Sequence, residues 1–337
     1  MTAGEARLWQ PGPDGRVTCL LCAHHCQIPP GKRGLCRVRE NRGGTLQALN
    51  HGLLLAASLD PIEKKPLHHV LPGSGSFSIA AAGCNFRCRF CQNADISQVA
   101  EGEAVTGVAT SAGKVVDSAR AAGARSIAYT YTEPTVYWET VEEVSTLARA
   151  AGLRNVWVSN GFLSPELCEV AGPLMDAANI DLKSFSDRFY REECGGRLEP
   201  VLETIRTLRG LGVWLEVTTL LVPGLNTDPG ELRELTAFLS SVDPEMPWHV
   251  SRFFPRHRRT ELPPTSLTDI RAALAIGRQA GLLHVYSGNT GPDDEADTRC
   301  PGCGELLIRR HGYNTMVVGL DDGACRKCRR PLAGIWR

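Results

Sequence analysis

Three cysteines stand within eight positions in the stretch CNFRCRFCQN, residues 84–93. This triad has the spacing C-x3-C-x2-C and consists of Cys84, Cys88 and Cys91. A cubane iron-sulfur cluster has four irons and normally takes four thiolates, so three thiolates leave one iron open to another ligand. Phe90, directly before the last cysteine, would project beside that open iron. The residues also allow a zinc site in which His68 or His69 is the fourth ligand.

Four cysteines near the C-terminus follow the spacing C-x2-C, twenty-one residues, C-x2-C, which is typical of a zinc ribbon. They are Cys300, Cys303, Cys325 and Cys328. Four thiolates around one zinc leave no open position, so we expect a role in folding or docking, with a second iron-sulfur cluster as the alternative. The basic residues nearby predict a solvated face, or else a docking surface for RNA or protein.

A second group of four cysteines, here called the quartet, lies near the N-terminus. It consists of Cys19, Cys22, Cys26 and Cys36. Spacings of two, three and nine residues suit either zinc or an auxiliary 4Fe-4S cluster, and His24 or His25 could replace one ligand. The sequence leaves the metal open. Cys168 and Cys194 stand alone and are expected to be ordinary buried thiols.

The overall composition narrows the class of protein. The chain has 337 residues, with 37 Lys and Arg against 37 Asp and Glu, so no net charge draws it to nucleic acid or to an anionic membrane. Nucleic acid is neither excluded nor suggested. No apolar run approaches the roughly 20 residues of a membrane span, and the first residues lack a signal-peptide core. We therefore expect a cytoplasmic protein without a membrane partner, in which eleven of the thirteen cysteines bind metals and none forms a disulfide.

Apolar runs alternate with stretches of helical periodicity between the quartet and the ribbon. The runs are rich in Val, Ile and Leu, as in strands buried on both faces of a parallel sheet. Strands are predicted at 77–82, 126–131, 155–159, 178–183, 214–221, 248–253 and 283–287. Helices are predicted at 111–122, 135–151, 164–171, 199–211, 229–241 and 268–280. Repeated strand-helix units predict an α/β fold with a parallel sheet, either doubly wound or curved toward a barrel.

Polar residues gather where these predicted strands end. They are Cys84, Glu133, Ser159, Asn160, Lys183 and His249. The active site of an α/β barrel lies at the carboxyl ends of its strands, so these side chains are expected to share one cleft.

The sequence also predicts three domains. Residues 1–50 and 298–337 are short and cysteine-rich, and segments of this size need a metal to hold a core. We predict that they flank a barrel at residues 51–297. The segment DPIEKKP, residues 60–66, contains Pro61 and Pro66 near its two ends and predicts a rigid linker into the barrel.

The triad, with an aromatic residue before its third cysteine and a place after the first barrel strand, resembles the signature of radical S-adenosylmethionine (radical SAM) enzymes. The resemblance implies a partial parallel (βα)6-type barrel in which the triad holds a 4Fe-4S cluster. It implies that the open iron binds S-adenosylmethionine, with Phe90 along the adenine. Reductive cleavage of this cofactor would give a 5'-deoxyadenosyl radical that abstracts hydrogen from a substrate. A reductant such as flavodoxin or ferredoxin would supply the electron.

Other strand-end motifs resemble the cofactor-binding stretches of the same family. They are YTYTEP, SNG, IDLK and PWH, which contain Glu133, Ser159, Asn160, Asp181, Lys183 and His249. The resemblance implies that Glu133 meets the amino group, that Lys183 neutralises the methionine carboxylate and that His249 contacts the nucleoside. Ser159, Asn160 and Asp181 suit the ribose and the carboxylate. From the residues alone, Glu133 could instead start a helix and His249 could be a satisfied core residue.

The order of motifs, from CLLCAHHC through DPIEKKPLHH and SRFFP to CRKCRRPLAGIW, is similar over nearly the whole chain to the AmmeMemoRadiSam system radical SAM enzyme. That enzyme type is related to pyruvate formate-lyase activating enzymes. The resemblance implies an oxidoreductase with Memo-like and AMMECR-like partner proteins and an unidentified substrate. A protein glycine, an RNA and a small molecule all stay open as targets, as does cleavage to an aminocarboxypropyl group. The alternative class is a non-catalytic docking module with zinc at every cysteine site.

Overall fold

Two small antiparallel sheets form the N-terminal part of the protein, whose computed structural model describes residues 4–291 and 294–337. Their strands are β1 Gly4–Glu5, β2 Trp9–Pro11, β3 Val17–Cys19, β4 Gln27–Ile28, β5 Arg39–Arg42 and β6 Thr45–Ala48. One sheet has the order β1-β6-β5 and the other the order β2-β3-β4. Val17, Val38 and Leu46 are fully buried and belong to the main hydrophobic core of the molecule. The N-terminal part therefore packs as an extension of the barrel core.

A nine-stranded sheet forms the centre of the molecule. Its strands are β7 Leu53–Pro61, β8 Gly75–Ala81, β9 Val108–Ala109, β10 Ser126–Tyr129, β11 Arg154–Ser159, β12 Ala177–Asp181, β13 Trp214–Leu221, β14 Trp248–Arg252 and β15 Val285–Gly288. The order is β15-β14-β13-β12-β11-β10-β8-β7-β9. From β8 to β15 every neighbouring pair is parallel. The carboxyl ends of seven strands therefore meet at one edge.

Helices connect the parallel strands. The chain contains α1 Ala94–Ser97, α2 Ala112–Ala121, α3 Trp138–Ala150, α4 Pro165–Ala171, α5 Asp187–Phe189, α6 Glu199–Gly210, α7 Pro229–Val242 and α8 Leu267–Gln279. Ser111, Ser164 and Asp228 cap the N-termini of α2, α4 and α7 by accepting a bond from a first-turn backbone N–H. Six strand-helix units thus follow one another, which confirms the predicted α/β fold with a partial parallel barrel. None of the described helices has the length and apolar content of a membrane span.

The strand β7 was missed by the sequence analysis, and the predicted linker at residues 60–66 is wrong. β7 pairs antiparallel with β8 along most of its length and ends at Pro61. Ile62 and Lys65, which follow it, are 0% and 1% exposed. A proline is tolerated at the end of a strand because no further ladder bond is needed there. The two prolines therefore mark the boundary of a buried turn.

The C-terminal residues form a ribbon with a core of its own. Its strands are β16 Thr298–Arg299, β17 Leu306–His311, β18 Asn314–Val317, β19 Leu320–Asp321 and β20 Ala324–Cys325. Leu307, Ile308 and Leu320 pack with the buried cysteines into a separate small cluster. The last residues return to the barrel, where the backbone N–H of Ile335 donates to the His69 carbonyl at 2.7 Å.

Candidate active site and metal centres

One cavity of about 620 Å³ lies at the carboxyl edge of the central sheet and is called the main cavity below. Every residue predicted to bind the triad cluster or its cofactor lines it. These residues are Cys84, Cys88, Cys91, Phe90, Glu133, Ser159, Asn160, Asp181, Lys183 and His249. The cavity volume is within the range of small-molecule sites in proteins. Parallel strands bring these residues together although they span 166 positions, from 84 to 249.

The triad lies on the loop that leaves β8, and polar groups approach its sulfurs. The Phe86 backbone N–H is 3.3 Å from the Cys84 sulfur, and the Ser97 hydroxyl is 3.3 Å from the Cys91 sulfur. A hydrogen bond from the Cys194 thiol lowers the pKa of Cys88, whereas burial raises the pKa of Cys84 and of Cys91. Hydrogen-bond donors aimed at sulfur stabilise thiolates, which are the species that bind iron. The triad is therefore suited to hold a cluster.

The alternative of a three-cysteine, one-histidine zinc site is less well matched by the geometry than a cluster. Among the described residues, the ribbon cysteines form the one group of His, Cys, Asp or Glu whose ligand atoms all lie within 4.8 Å of one another. At least one pair of triad sulfurs is therefore more than 4.8 Å apart. His69 is occupied, because its two ring nitrogens contact the Ala333 carbonyl at 2.8 Å and the Tyr286 hydroxyl at 2.7 Å. His68 lines the main cavity and its buried Nδ1 has no hydrogen-bond partner among the described residues, so a zinc site with His68 stays a prediction.

Glu133 follows the end of β10, and its carboxylate links this segment to the end of β11. Its carboxylate accepts bonds from the Ser159 hydroxyl at 2.8 Å and from the Asn160 backbone N–H at 2.9 Å. It also accepts from the hydroxyl and the backbone N–H of Thr135, and so caps the helical turn that follows. Burial raises the pKa of Glu133, and it outweighs the hydrogen bonds, which act to lower that pKa. The helix-start role is thus real, while the contact with a cofactor amino group stays a prediction.

Ser159 and Asn160 line the main cavity but bond within the protein. The Ser159 hydroxyl donates to Glu133 and accepts from the Gly161 backbone N–H at 3.1 Å. The Asn160 amide donates to the Asn85 side chain at 2.7 Å and lies 3.7 Å from the Cys84 sulfur. These two residues therefore position the acid and one cluster ligand. Their predicted direct contacts with ribose stay untested.

Asp181 and Lys183 form an ion pair at the cavity wall, with the Lys183 ammonium 2.9 Å from an Asp181 oxygen. The ammonium also lies 6.0 Å from the centre of the Phe90 ring. Burial acts to lower the pKa of Lys183, but the Asp181 carboxylate outweighs it and the pKa is raised. The pair places one positive and one negative group beside the triad, where a zwitterionic ligand such as an amino acid would find both partners.

His249 lies deeper in the same cavity and is held by a buried acid. Its Nε2 is 2.6 Å from an oxygen of Glu216, and both side chains are almost fully buried. Glu216 also accepts from the backbone N–H groups of His68 at 2.9 Å and His69 at 2.7 Å. His249 lines the main cavity although it is only 3% exposed, so both roles predicted for it are compatible with the structure.

Sequence analysis missed a second charged group at the cavity wall. Asp60 binds the ammonium groups of Lys64 and Lys65, each at 2.8 Å, and also accepts a short bond from the Tyr131 hydroxyl. The Lys65 ammonium lies 4.5 Å from the centre of the Tyr131 ring. Burial lowers the pKa of Lys65 to about 8, against the pull of Asp60. The acidic and basic residues of the DPIEKKP segment could have indicated this group. Its contact with Tyr131 could not be predicted, because Tyr131 is 71 positions from Asp60 in the sequence.

The two four-cysteine groups differ in geometry. In the ribbon, the Cys300 and Cys328 sulfurs are 3.5 Å apart and the Cys303 and Cys325 sulfurs are 3.7 Å apart. A zinc ion with zinc-sulfur distances of about 2.3 Å in a tetrahedron requires sulfurs at this separation. The ribbon can therefore hold one metal ion in the way predicted. The quartet cysteines instead line a second, smaller cavity of about 20 Å³.

Residues 78–238 match the family described as the Radical SAM superfamily. Over 327 residues the chain is 40% identical to an uncharacterized protein of Methanocaldococcus jannaschii, and the match covers 96% of this chain and 97% of that relative.

Solved structures with a similar fold include Streptococcus suis SuiB bound to S-adenosylmethionine, with a TM-score of 0.51 and 13% identity over 68% of this chain and 53% of SuiB. A radical SAM methyltransferase from Sphaerobacter thermophilus has a TM-score of 0.50 and 16% identity, covering 64% of this chain and 66% of that one. At such low identity these two likenesses concern the fold alone.

Proposed function

This chain belongs to the radical SAM superfamily, and on that premise we propose that it cleaves S-adenosylmethionine reductively and directs the resulting radical to a hydrogen atom of a protein substrate. When bound, a 4Fe-4S cluster and S-adenosylmethionine supply the electron transfer and the 5'-deoxyadenosyl radical. The protein supplies ligands, charge and a cavity that limits access of water.

The observation that carries the proposal is the convergence of the triad and all seven predicted cofactor residues on one cavity. Cys84, Cys88 and Cys91 would hold the cluster. Asp181 and Lys183 form a charged pair that lines the main cavity, and they would bind the amino and carboxylate groups of a methionine moiety. Phe90 offers an aromatic face beside Lys183 for an adenine ring.

The remaining residues would act as positioning residues. The Asn160 side-chain amide contacts the Cys84 sulfur and donates to the Asn85 side-chain oxygen, and the Ser159 hydroxyl donates to the Glu133 carboxylate. Glu216 orients His249 through its Nε2. Because these bonds are made within the protein, the polar wall is preorganised and little side-chain entropy would be lost on binding.

A protein substrate is favoured by two features. The IDLK motif at residues 180–183 and the stretch LLVPG at residues 220–224 resemble those of pyruvate formate-lyase activating enzymes, whose substrate is a protein. The main cavity is also lined by Gly312 and Tyr313 from the tip of the ribbon hairpin, and Tyr313 is 54% exposed. The ribbon would thus contact a chain entering the cavity. Memo-like and AMMECR-like proteins are the partners we propose, with flavodoxin or ferredoxin as the reductant.

The test is anaerobic reconstitution with iron and sulfide, followed by S-adenosylmethionine and dithionite, with identification of the nucleoside product by mass spectrometry. We expect 5'-deoxyadenosine from the wild-type protein and a loss of at least about a hundredfold in Cys88→Ala. Cys168→Ala is the matched control, because Cys168 is a buried thiol that does not line the main cavity. Methylthioadenosine as the product would contradict the proposed bond cleavage, and a zinc-filled triad would contradict the enzyme class.

A further inference from the structure

The quartet surrounds a closed cavity next to the triad loop. Cys19, Cys22 and Cys36 are 7%, 9% and 8% exposed, and the cavity between the sulfurs has a volume of about 20 Å³. Leu21, Ile28, Leu35 and Val136 complete much of the wall. A space of this size exceeds what one water needs. Besides the cysteines, its polar lining consists of His24, Arg39 and Asn85. The four thiols therefore surround room for a compact group that binds sulfur.

The spacing of the quartet sulfurs argues against a single zinc ion. Zinc draws four thiolates to about 2.3 Å, so the sulfurs nearly touch one another, as they do in the ribbon. Among the described residues, no three quartet sulfurs meet the 4.8 Å limit that all four ribbon sulfurs satisfy. In a cubane the irons stand at alternate corners and their thiolates point outward, so the sulfurs are held farther apart. The quartet shares this wider spacing with the triad.

Neither nearby histidine replaces a cysteine. His24 lines the quartet cavity, but its Nε2 is 2.9 Å from the Asn85 carbonyl oxygen and is engaged by it. His25 does not line the cavity. The four cysteines are therefore the complete ligand set, one for each iron of a cubane.

We propose that Cys19, Cys22, Cys26 and Cys36 hold a second 4Fe-4S cluster, which passes electrons to the triad site. The second half of this inference depends on the proposed function, because it needs a cluster at the triad. One electron would pass from a reduced flavodoxin or ferredoxin to the quartet site and then to the triad site. The donor is oxidised by one electron for each one delivered, and the quartet site returns to its starting state.

The chain path between the two sites supports the relay. Asn85 lines the quartet cavity, and the residue before it, Cys84, lines the main cavity. The Asn85 side-chain oxygen is 3.8 Å from the Cys84 sulfur, while the Asn85 carbonyl contacts His24. A Cβ atom at Gly83 would lie 3.3 Å from the Cys36 carbonyl oxygen, so the two cysteine segments are in direct contact. One layer of residues separates the sites.

The same geometry argues against a substrate-binding role for the second cluster. Four cysteines leave no iron open, and no residue lines both the quartet cavity and the main cavity. Leu35 lines the quartet cavity and is 53% exposed, so the wall toward solvent is one side chain thick. Electrons can enter from that side without crossing the substrate cavity.

Metal analysis of a variant without the triad tests the site itself. We expect about eight irons per chain in the reconstituted wild-type protein, and about four in Cys84→Ala/Cys88→Ala/Cys91→Ala, with the electron paramagnetic resonance signal of one reduced 4Fe-4S cluster. S-adenosylmethionine should leave that signal unchanged. Cys168→Ala serves as the control with the full iron content. One zinc and no iron in the triad-free variant would overturn the proposal, whatever the wild-type activity is.

A comparison of electron donors tests the relay. Cys26→Ala removes the least buried quartet ligand and is therefore the variant that disturbs folding least. With reduced flavodoxin we expect 5'-deoxyadenosine formation to fall by about tenfold or more, whereas dithionite, which reduces the triad site directly, should support a rate within about twofold of wild type. An equal loss with both donors would refute the relay. Absence of product from the wild-type protein with either donor would count against the proposed function instead.

Discussion

The N-terminal quartet and the C-terminal ribbon have the same four ligands but different packing. The ribbon encloses its sulfurs in a small core of its own, and they lie 3.5 and 3.7 Å apart in pairs. The quartet cysteines belong to the main core, with Phe86 and Val38 as members of the same cluster. A module with its own core can close tightly around one ion, whereas the larger core beside the triad keeps the quartet sulfurs apart.

The two modules also anchor to the barrel by different kinds of buried arginine. Arg39 forms two bonds of 2.6 Å to the carboxylate of Glu139, and both side chains are almost fully buried. Arg310 of the ribbon donates to neutral acceptors, among them the His68 carbonyl at 2.7 Å. Burial acts to lower the pKa of both arginines. For Arg39 the charge of Glu139 outweighs burial and the pKa is raised, whereas for Arg310 burial prevails and the pKa is lowered. One anchor depends on charge and the other on hydrogen bonds.

The largest expected effect is loss of the ribbon metal. Structural zinc in small domains contributes about 10 to 16 kcal/mol of binding free energy, so Cys303→Ala should unfold the ribbon alone. We expect the zinc content to fall by about one ion per chain and residues 298–337 to become sensitive to protease. Iron content should stay at the wild-type level, because the quartet and the triad lie outside the ribbon. A loss of iron, or a resistant ribbon, would show that the two modules are not independent.

Breaking the ion pair between Arg39 and Glu139 should have a smaller effect than loss of the ribbon metal, but it should lower the stability of the whole barrel. Glu139→Gln leaves a buried guanidinium without its counter-charge, so we expect the free energy of unfolding to fall by about 3 to 5 kcal/mol in urea denaturation. Glu142→Gln on the same helix is the matched control. It removes the more exposed pair with Arg7 and should cost at most about 1 kcal/mol. Equal losses in the two variants would contradict the assigned role of burial.

Acid should destabilise the barrel through the buried His284. Burial lowers the pKa of His284 to about 4, with Glu216 and Asp243 raising it and Arg330 lowering it. The ordinary value is about 6.5, so between these two values the unfolded chain binds more protons and stability falls as the pH falls. The full loss is about 3 kcal/mol below pH 4. Urea denaturation between pH 7 and pH 4 measures it.

The variant His284→Phe isolates this contribution. The His284 Nε2 is buried without a hydrogen-bond partner, so an apolar ring of similar size should be tolerated at pH 7. We expect the pH dependence to become shallower in this variant. An unchanged slope would assign the acid sensitivity to His68 and His69, whose pKa values burial also lowers.

The smallest expected effect concerns the ribbon anchor. Arg310→Met removes bonds to the Ala296 carbonyl, the Thr298 hydroxyl and the His68 carbonyl, but it strands no opposite charge. We expect a loss of about 1 to 3 kcal/mol in urea denaturation, less than for Glu139→Gln. The exposed neighbour Arg309→Met is the control and should change stability by no more than about 0.5 kcal/mol. A loss larger than that of Glu139→Gln would reverse the contrast between the two anchors.

Much of the barrel could be predicted because its signals are local. The apolar runs and helical stretches gave strand β13 without error and most other boundaries within a few residues. β7 was missed although it begins with the apolar run LLLAA, because it precedes the first strand-helix repeat and runs antiparallel at the side of the sheet. The hydrogen bonds that the Glu216 carboxylate accepts were also missed, because Glu216 and His68, whose backbone N–H donates to it, are 148 positions apart in the sequence.

The sequence by itself determined which cysteines act together, the alternation of strands and helices, and the residues that reach the carboxyl edge. Only the tertiary structure decided how those groups are used. It engaged Ser159 and Asn160 with protein partners, placed Cys194 beside Cys88, and kept the quartet sulfurs apart while the ribbon sulfurs converged. The reason is physical. Cysteine spacing along the chain limits which thiols can meet, but the distance between their sulfurs depends on how each loop packs against the rest of the molecule.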